Sequence, residues 1–331
     1  MGKGSRDKSA PAGVDLVAHG RTPTVVHNTS CSSRLSSWLS DGTVCLSPRN
    51  NGKRTDVGTI QLESGEGEEW VMDIPDLSKE MLSPLCANSG WVSYEMEKIS
   101  SASKWLQQST EFRLFPLGAL HPILSAQKKN NAYLISAYPS NDLQSSYCVS
   151  MSWNMLRTEF YIHGRWCAAC EPGSTSFNCS TPASQRQDLG AIIYEKNWKG
   201  NAPRQMHLVV PPIDPSNPEQ AVCMCPLQGH PPLADSYKNG QIRLQHLLHF
   251  TTRQPTWNAA IQRHELNFSD RVTMPSVHNF QLVDANHKEH TALQFGKADK
   301  HSFALDARFP LSPIQAFACA IASFEAGSLC T

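Results

Sequence analysis

The stretch from Leu311 to Thr331, LSPIQAFACAIASFEAGSLCT, constrains the rest of the chain more than any other. No charge falls between Pro313 and Ser323, and large apolar residues recur at Ile314, Phe317, Ile321 and Phe324. That is helical spacing, and it makes one stripe. The other faces carry Ala316, Ala318, Cys319, Ala320 and Ala322, which are small and still apolar. A helix that is apolar all round belongs in an interior. Ser312, Pro313 and Gln315 supply a capping box with proline at the first helical position, and Gly327 is placed to end the helix in the left-handed conformation. At ~1.5 Å per residue the helix is about 20 Å long, and it falls short of the ~20 apolar residues a membrane span needs. Burying its large side chains contributes about 6–12 kcal/mol before chain entropy is set against it. The preceding chain must therefore surround this helix on every side.

What precedes it reads as strands. From Trp91 onward short alternating runs follow one another: Val92–Tyr94–Met96, then 112–118, 133–139, 146–151, 158–164, 189–195 and 205–212. Later runs are 241–250, 263–268, 276–284, 290–296 and 301–309, each bounded by Gly, Pro, Asn or Asp. The run at 241–250, QIRLQHLLHF, also suits a helix. About a dozen strands in series predict an antiparallel sheet or barrel. A closed barrel has no free edges and gives the apolar helix a place to be enclosed. A two-layer sandwich would leave half of that helix wet. The expected fold is mostly β: a closed antiparallel barrel, wider than eight strands, around a central buried C-terminal helix.

Residues 1–90 differ in character. Runs rich in Ser, Asn, Gly and charge, such as 27–42 and 46–58, have little periodic apolar pattern and are expected to be largely disordered, leaving 91–331 as the folded domain. Acidic and basic residues balance at 29 each, so no global field argues for nucleic acid or a basic membrane face. The start MGKGSRDKSAPAG lacks the apolar core of a secretory signal, and Arg6 stands where a myristoylation motif needs Ser or Thr. With 11 cysteines and no signal, the expectation is an intracellular protein with reduced thiols and no transmembrane segment.

Past this point the residues resemble a known family. PTWN at 255–258, LNFSDRVTMPSVHNFQLV at 266–283, LQFGK at 293–297 and FALDARFPLSPIQAFACAIASFE at 303–325 are similar to the C-terminal half of a tubby domain. YLIS at 133–136, Asn154 with Thr158 and Phe160, and LGAIIYEKNWKGNAPRQM at 189–206 keep the family's order more weakly. The resemblance covers about residues 90–331 and implies a barrel of twelve strands threaded by the C-terminal helix. The F-box that many plant members carry has no counterpart in residues 1–90 beyond a faint echo in MDIPDLSKEML at 72–82.

Resemblance also implies a site. Tubby domains bind phosphoinositide head groups with an Asn before the Tyr-Leu-Ile-Ser strand, a Lys-x-Arg pair on the next strand, and an Arg before the Leu-(Ala/Gly)-Ala strand. A bisphosphate needs several converging cations, because each alone is worth little in water. In this chain Ala132 stands at the Asn position, Ser150 and Ser152 at the Lys and Arg positions, and Arg186 matches. Lys128, Lys129 and Arg157 lie nearby in sequence as the cations that would compensate, while Arg186 is otherwise a surface charge to pair with Asp188 or Glu195.

Other patterns read as structural. Cys167-x-x-Cys170, with Cys179 nearby, has a zinc pair's spacing, but Cys223-x-Cys225 is one residue too tight for a ribbon, so no metal and no other cofactor is expected. His246/His249 and His287/His290 read as surface histidines, HPP at 230–232 as a loop, and Asp270-Arg271 and Asp306-x-Arg308 as ion pairs that order turns. No phosphate loop, nucleophile elbow or carboxylate pair marks an enzyme. The expected function is thus a non-enzymatic phosphoinositide-binding adaptor with its head-group site largely degraded. It would sit in the cytoplasm or nucleus, or peripherally at the plasma membrane, with phosphatidylinositol bisphosphate as partner. The alternative is a protein-interaction or transcription-associated module without lipid binding.

Overall fold

The computed structural model describes residues 45–47, 59–63, 69–73, 80–101, 109–137, 148–165, 186–197, 203–226, 229–243, 246–260, 262–268, 270–327 and 330. Strands β1 (Cys45–Ser47), β2 (Thr59–Glu63) and β3 (Glu69–Asp73) pair antiparallel in a small sheet of their own. The main body starts with β4 (Val92–Ser101), β5 (Ser109–Pro116), β6 (Leu124–Lys129), β7 (Ala132–Ala137), β8 (Val149–Trp153) and β9 (Glu159–Gly164). It continues through β10 (Asp188–Tyr194) and β11 (Met206–Val210), after which β12 (Ile213–Asp214) and β13 (Asn217–Ala221) form a hairpin and α1 (Leu233–Lys238) a short helix. The chain then returns as β14 (Leu248–Thr252), makes a second hairpin from β15 (Thr256–Asn258) and β16 (Arg263–Glu265), and ends with β17 (Phe280–Asp284), β18 (Thr291–Lys297), β19 (Ser302–Ala307) and helix α2 (Pro313–Glu325).

Twelve of these strands close into one barrel: β4 to β11, then β14, β17, β18 and β19. Each is antiparallel to its neighbours, and β19 meets β4 in a continuous register from Ser302↔Glu97 to Ala307↔Val92. Helix α2 runs through the middle. Ile314, Phe317 and Ile321 are wholly inaccessible, and only Phe324 of α2 escapes full burial. They pack against inward-facing strand residues such as Phe112, Tyr133, Phe160 and Phe295 in a single core.

The helix start is as its sequence predicts. Gln315 N donates to Ser312 Oγ (3.2 Å) and Ser312 N to Gln315 Oε1 (2.9 Å). Gln315 Nε2 also donates to Leu189 O on β10 (2.8 Å), so the cap fastens the helix to the wall. The helix end differs from expectation. Ala326, in an extended conformation (φ −53°, ψ 133°), is the C-cap. Gly327 is needed for a close approach instead: a Cβ there would sit 2.2 Å from Leu156 O.

Strand β10 is buried along its whole length. Its inner face meets the core around α2. Its outer face, with Ala191 and Ile193, joins Val209, Met224, Leu233 and Leu247 in a second apolar cluster beneath α1. Three sequence readings are corrected. β6, LSAQKK, was not marked by its pattern; only the last part of 241–250 is strand; and the run at 263–268 contributes β16 to the outer hairpin rather than a barrel strand. Packing also reaches back before Trp91, since Met81 and Leu85 join the core and Leu85 N donates to Leu311 O (2.9 Å). Cys86 is disulfide-bonded, against the expectation of reduced thiols throughout, while Cys319 and Cys330 are buried free thiols. Among the described residues no helix is long and apolar enough to cross a membrane.

Candidate functional site

Strand alternation decides where the site positions fall. On β7 and β8, Tyr133, Ile135 and Met151 face the core. Ala132 and Ser152, which are register partners, and Ser150, partner of His163, occupy the alternate positions on the outer side. Next to His163 across the β9–β10 pairing is Asp188, two residues after Arg186. Burial, followed by the nearby Arg186 guanidinium, pushes the His163 imidazole down to about 4, so this ring is neutral at pH 7. Arg186 thus lies beside the position where the family places its Lys-x-Arg strand. Ala132, Ser150 and Ser152 share one outer face, Arg186 lies near His163 beside it, and Arg186 is the only cation of these four.

Asp188 is not the surface partner that its sequence position suggests. It is buried, and its Oδ2 accepts from Leu233 N (2.9 Å) at the start of α1. Burial raises its carboxyl to about 7. Glu195 is engaged too: its Oε1 lies 2.9 Å from His207 Nε2. The far nitrogen of that ring, Nδ1, is 3.1 Å from His249 Nε2, and Tyr237 packs on both imidazoles. His249 is therefore a half-buried member of a polar chain and not a free surface histidine, and burial, then His207, holds it down to about 4. His287 and His290 are exposed, as expected.

The compensating cations go elsewhere. Lys128 is the register partner of Tyr133 and so belongs to the inward set, at the barrel mouth where α2 ends. Its Nζ lies 2.8 Å from Glu325 Oε2, and Arg157 Nη1 lies 3.3 Å from the same oxygen. Tyr133 OH donates to the other oxygen, Oε1 (2.8 Å). Burial and then the Glu325 charge raise the phenol far above its ordinary value, so it remains a donor. Trp153 completes the group, its ring centroid 5.2 Å from Lys128 Nζ and 5.7 Å from Arg157 Cζ. Lys129, partner of Ala132, is exposed on the outer side. The structure thus brings Lys128 and Arg157 together on Glu325, puts Lys129 beside the inherited positions near the mouth, and sets Arg186 by His163.

Glu325, Tyr133 and Trp153 escaped the sequence reading. One signal was available: Glu325 is the only charge after Arg308. The two turn ion pairs are also redrawn, because Arg271 pairs with Asp306 across the barrel wall and its Nη2 donates to Tyr94 O (2.8 Å). A cavity of about 870 Å³ opens at the same mouth, walled by Phe268, Val272, Met274 and Val277 with Arg204 and His278 at its floor. Both floor residues reach the helix end, Arg204 Nη1 at 3.0 Å and His278 Nδ1 at 3.0 Å from Ser323 O. The cysteines 167, 170 and 179 lie outside the described residues.

A closed antiparallel cylinder plugged by an apolar helix is a distinctive class of β-barrel. The family profile described as the Tub family matches residues 99–326, and the chain belongs to the tubby family. Among similar proteins are Tubby protein homolog 1 of Caenorhabditis briggsae, 33% identical over 218 residues (63% of this chain, 49% of that one), and human Tubby-related protein 2, 35% identical over 202 residues (60% and 37%). Human Tubby-related protein 1 is 32% identical over 238 residues, 71% of this chain and 42% of its own length. The matched region spans about half or less of these relatives.

Proposed function

We propose that this chain is a non-enzymatic, phosphoinositide-responsive adaptor of the tubby type with a weakened head-group site. The observation that carries it is the clustering of Ala132, Ser150 and Ser152 on the outer face of β7 and β8, with Lys129 at the same face and Arg186 near enough to His163, the register partner of Ser150, to act on its charge. Two cations give a bisphosphate some attraction but no chelating cage, so binding should be weak and strongly salt-dependent. The His207–His249 pair is engaged by Glu195 and by Tyr237 of α1. Residence at the cytoplasmic membrane face, with release to cytoplasm or nucleus, is part of this reading.

A second reading, a protein-interaction or transcription-associated module without lipid binding, draws on the uncharged Ala132, Ser150 and Ser152 and on the tethering of Lys128 and Arg157 to Glu325. Sedimentation with vesicles separates the two. Phosphatidylinositol bisphosphate should increase pelleting, and Arg186→Ala should remove that increment. Pelleting indifferent to the bisphosphate would leave the second reading.

A further inference from the structure

The turn between β8 and β9 displays something that a soluble surface does not need. Met155 is 97% exposed and Leu156 49%, side by side. Yet the turn that carries them is fixed. Asn154 Oδ1 accepts from Thr158 N (2.9 Å) and Glu159 N (3.3 Å), and Asn154 Nδ2 donates to Thr158 Oγ1 (2.9 Å). Arg157 N donates to Asn154 O (3.0 Å), and Arg157 itself is held at φ 52°, the left-handed region that a non-glycine residue seldom adopts. From the other side Gly327 N donates to Arg157 O (3.0 Å), with Gly327 pressed under Leu156. Single exposed apolar side chains are ordinary. Two adjacent ones, presented on a turn clamped from both sides, stand in a geometry suited to insertion.

The surroundings say into what. At the foot of the turn Lys128 and Arg157 share one carboxylate, Glu325, which leaves a net positive charge, and both lie on the half-buried Trp153 ring. Lys129 is exposed at the end of the adjacent β6, and Lys98 sits over Phe324 at the same mouth (4.8 Å to the ring centroid). The nearest acid on β9, Glu159, is occupied by Tyr161 OH (2.8 Å) and Lys238 Nζ (3.2 Å). An apolar tip, a tryptophan below it and cations around it match the layering of a bilayer interface: acyl region, head-group level, anionic phosphates.

We propose that the turn 154–158 is a membrane-docking tip, with Met155 and Leu156 entering the interface of an anionic bilayer while Lys128, Lys129 and Arg157 meet lipid phosphates around it. This rests on the membrane-facing reading above and adds to it a contact that does not depend on head-group stereochemistry. The tip binds any sufficiently anionic leaflet, and the Arg186 face then adds a preference for the bisphosphate.

Sedimentation of the full chain tests this with three vesicle types: phosphatidylcholine alone, the same with phosphatidylserine, and the latter with phosphatidylinositol bisphosphate. The wild-type chain should bind the phosphatidylserine vesicles and lose them with rising salt. The double variant Met155→Asp, Leu156→Asp should lower that binding about tenfold or more and Lys129→Glu severalfold, whereas Arg186→Ala should remove the further increment that the bisphosphate adds. Both tip residues are exposed, so the double variant should keep the wild-type melting temperature. Broadening of the Met155 methyl resonance by spin-labelled lipid gives an independent readout of insertion. Equal binding by wild type and double variant, or an unbroadened Met155 methyl on bound vesicles, overturns the tip. Binding that needs the bisphosphate and vanishes with Arg186→Ala overturns the tip and leaves the adaptor reading standing. Binding to no vesicle at all overturns both and points to a protein partner.

Discussion

His163 and Asp188 face each other across β9 and β10, and burial has moved them in opposite directions, the imidazole down to about 4 and the carboxyl up to about 7. Both shifts keep the charged form out of the wall beneath α1, as desolvation dictates. Their effects on stability oppose one another. With His163 depressed, the unfolded chain binds more protons between about pH 4 and 6.5, so this residue makes stability rise with pH across that window. With Asp188 raised, the folded chain binds more protons between about pH 4 and 7, so this residue makes stability fall as pH rises. Asp188→Asn keeps the acceptor for Leu233 N and removes the falling part. Relative to wild type the variant should therefore gain stability from pH 5 to pH 8, by an amount on the order of 1–3 kcal/mol. Urea unfolding at the two pH values checks it; a difference independent of pH would mean that Asp188 is ionised in the folded state.

The helix α2 and the strand β6 mark the two limits of what sequence could tell at the level of elements. For α2, all the determinants were local. Ser312 and Gln315 stand three apart, the alanines leave no polar face, and the stripe of Ile314, Phe317 and Ile321 repeats at helical spacing. For β6 they were not. Its inward positions are Leu124, Ala126 and Lys128, and an inward lysine is tolerable only because Glu325 waits 197 residues later in the chain. Likewise Lys128 and Arg157 could be named as cations close to the site, but not assigned a direction, because strand alternation shows a face only once the strand itself is recognised. The same local determinants make α2 the best place to measure element stability. Ser312→Ala removes a buried acceptor from Gln315 N and should cost about 1–2 kcal/mol, and Phe317→Ala should cost about 3–5 kcal/mol because strands wall the cavity on every side. Denaturant midpoints check both values; a Phe317→Ala cost below that of Ser312→Ala would place Phe317 outside the packed interior.

At the scale of the whole molecule the barrel and its helix cannot be separated. Eight strands already enclose enough space for side chains alone, and twelve enclose more. That extra lumen is filled by a rod ~10 Å across. Without it, Phe112, Tyr133, Phe160 and Phe295 would line a wet channel, although each has essentially no exposure in the intact fold. Closure satisfies the strand edges, but it does not by itself remove this apolar lining from water. The helix is also pinned at both ends, by Gln315 to Leu189 O and by Glu325 to Lys128, Arg157 and Tyr133, so the barrel wall is held at a fixed girth around it. Deleting residues 309–331 should therefore abolish the native barrel, with loss of near-ultraviolet circular dichroism and of a single cooperative urea transition, rather than leave a hollow one. Glu325→Gln is the complementary measurement: it keeps an acceptor for Tyr133 and removes the charge, so it should retain the cooperative transition at a lower midpoint. A deletion chain that unfolds as sharply as the intact protein would mean that the strands close without their plug, and the order of cause argued from the C-terminal stretch would have to be reversed.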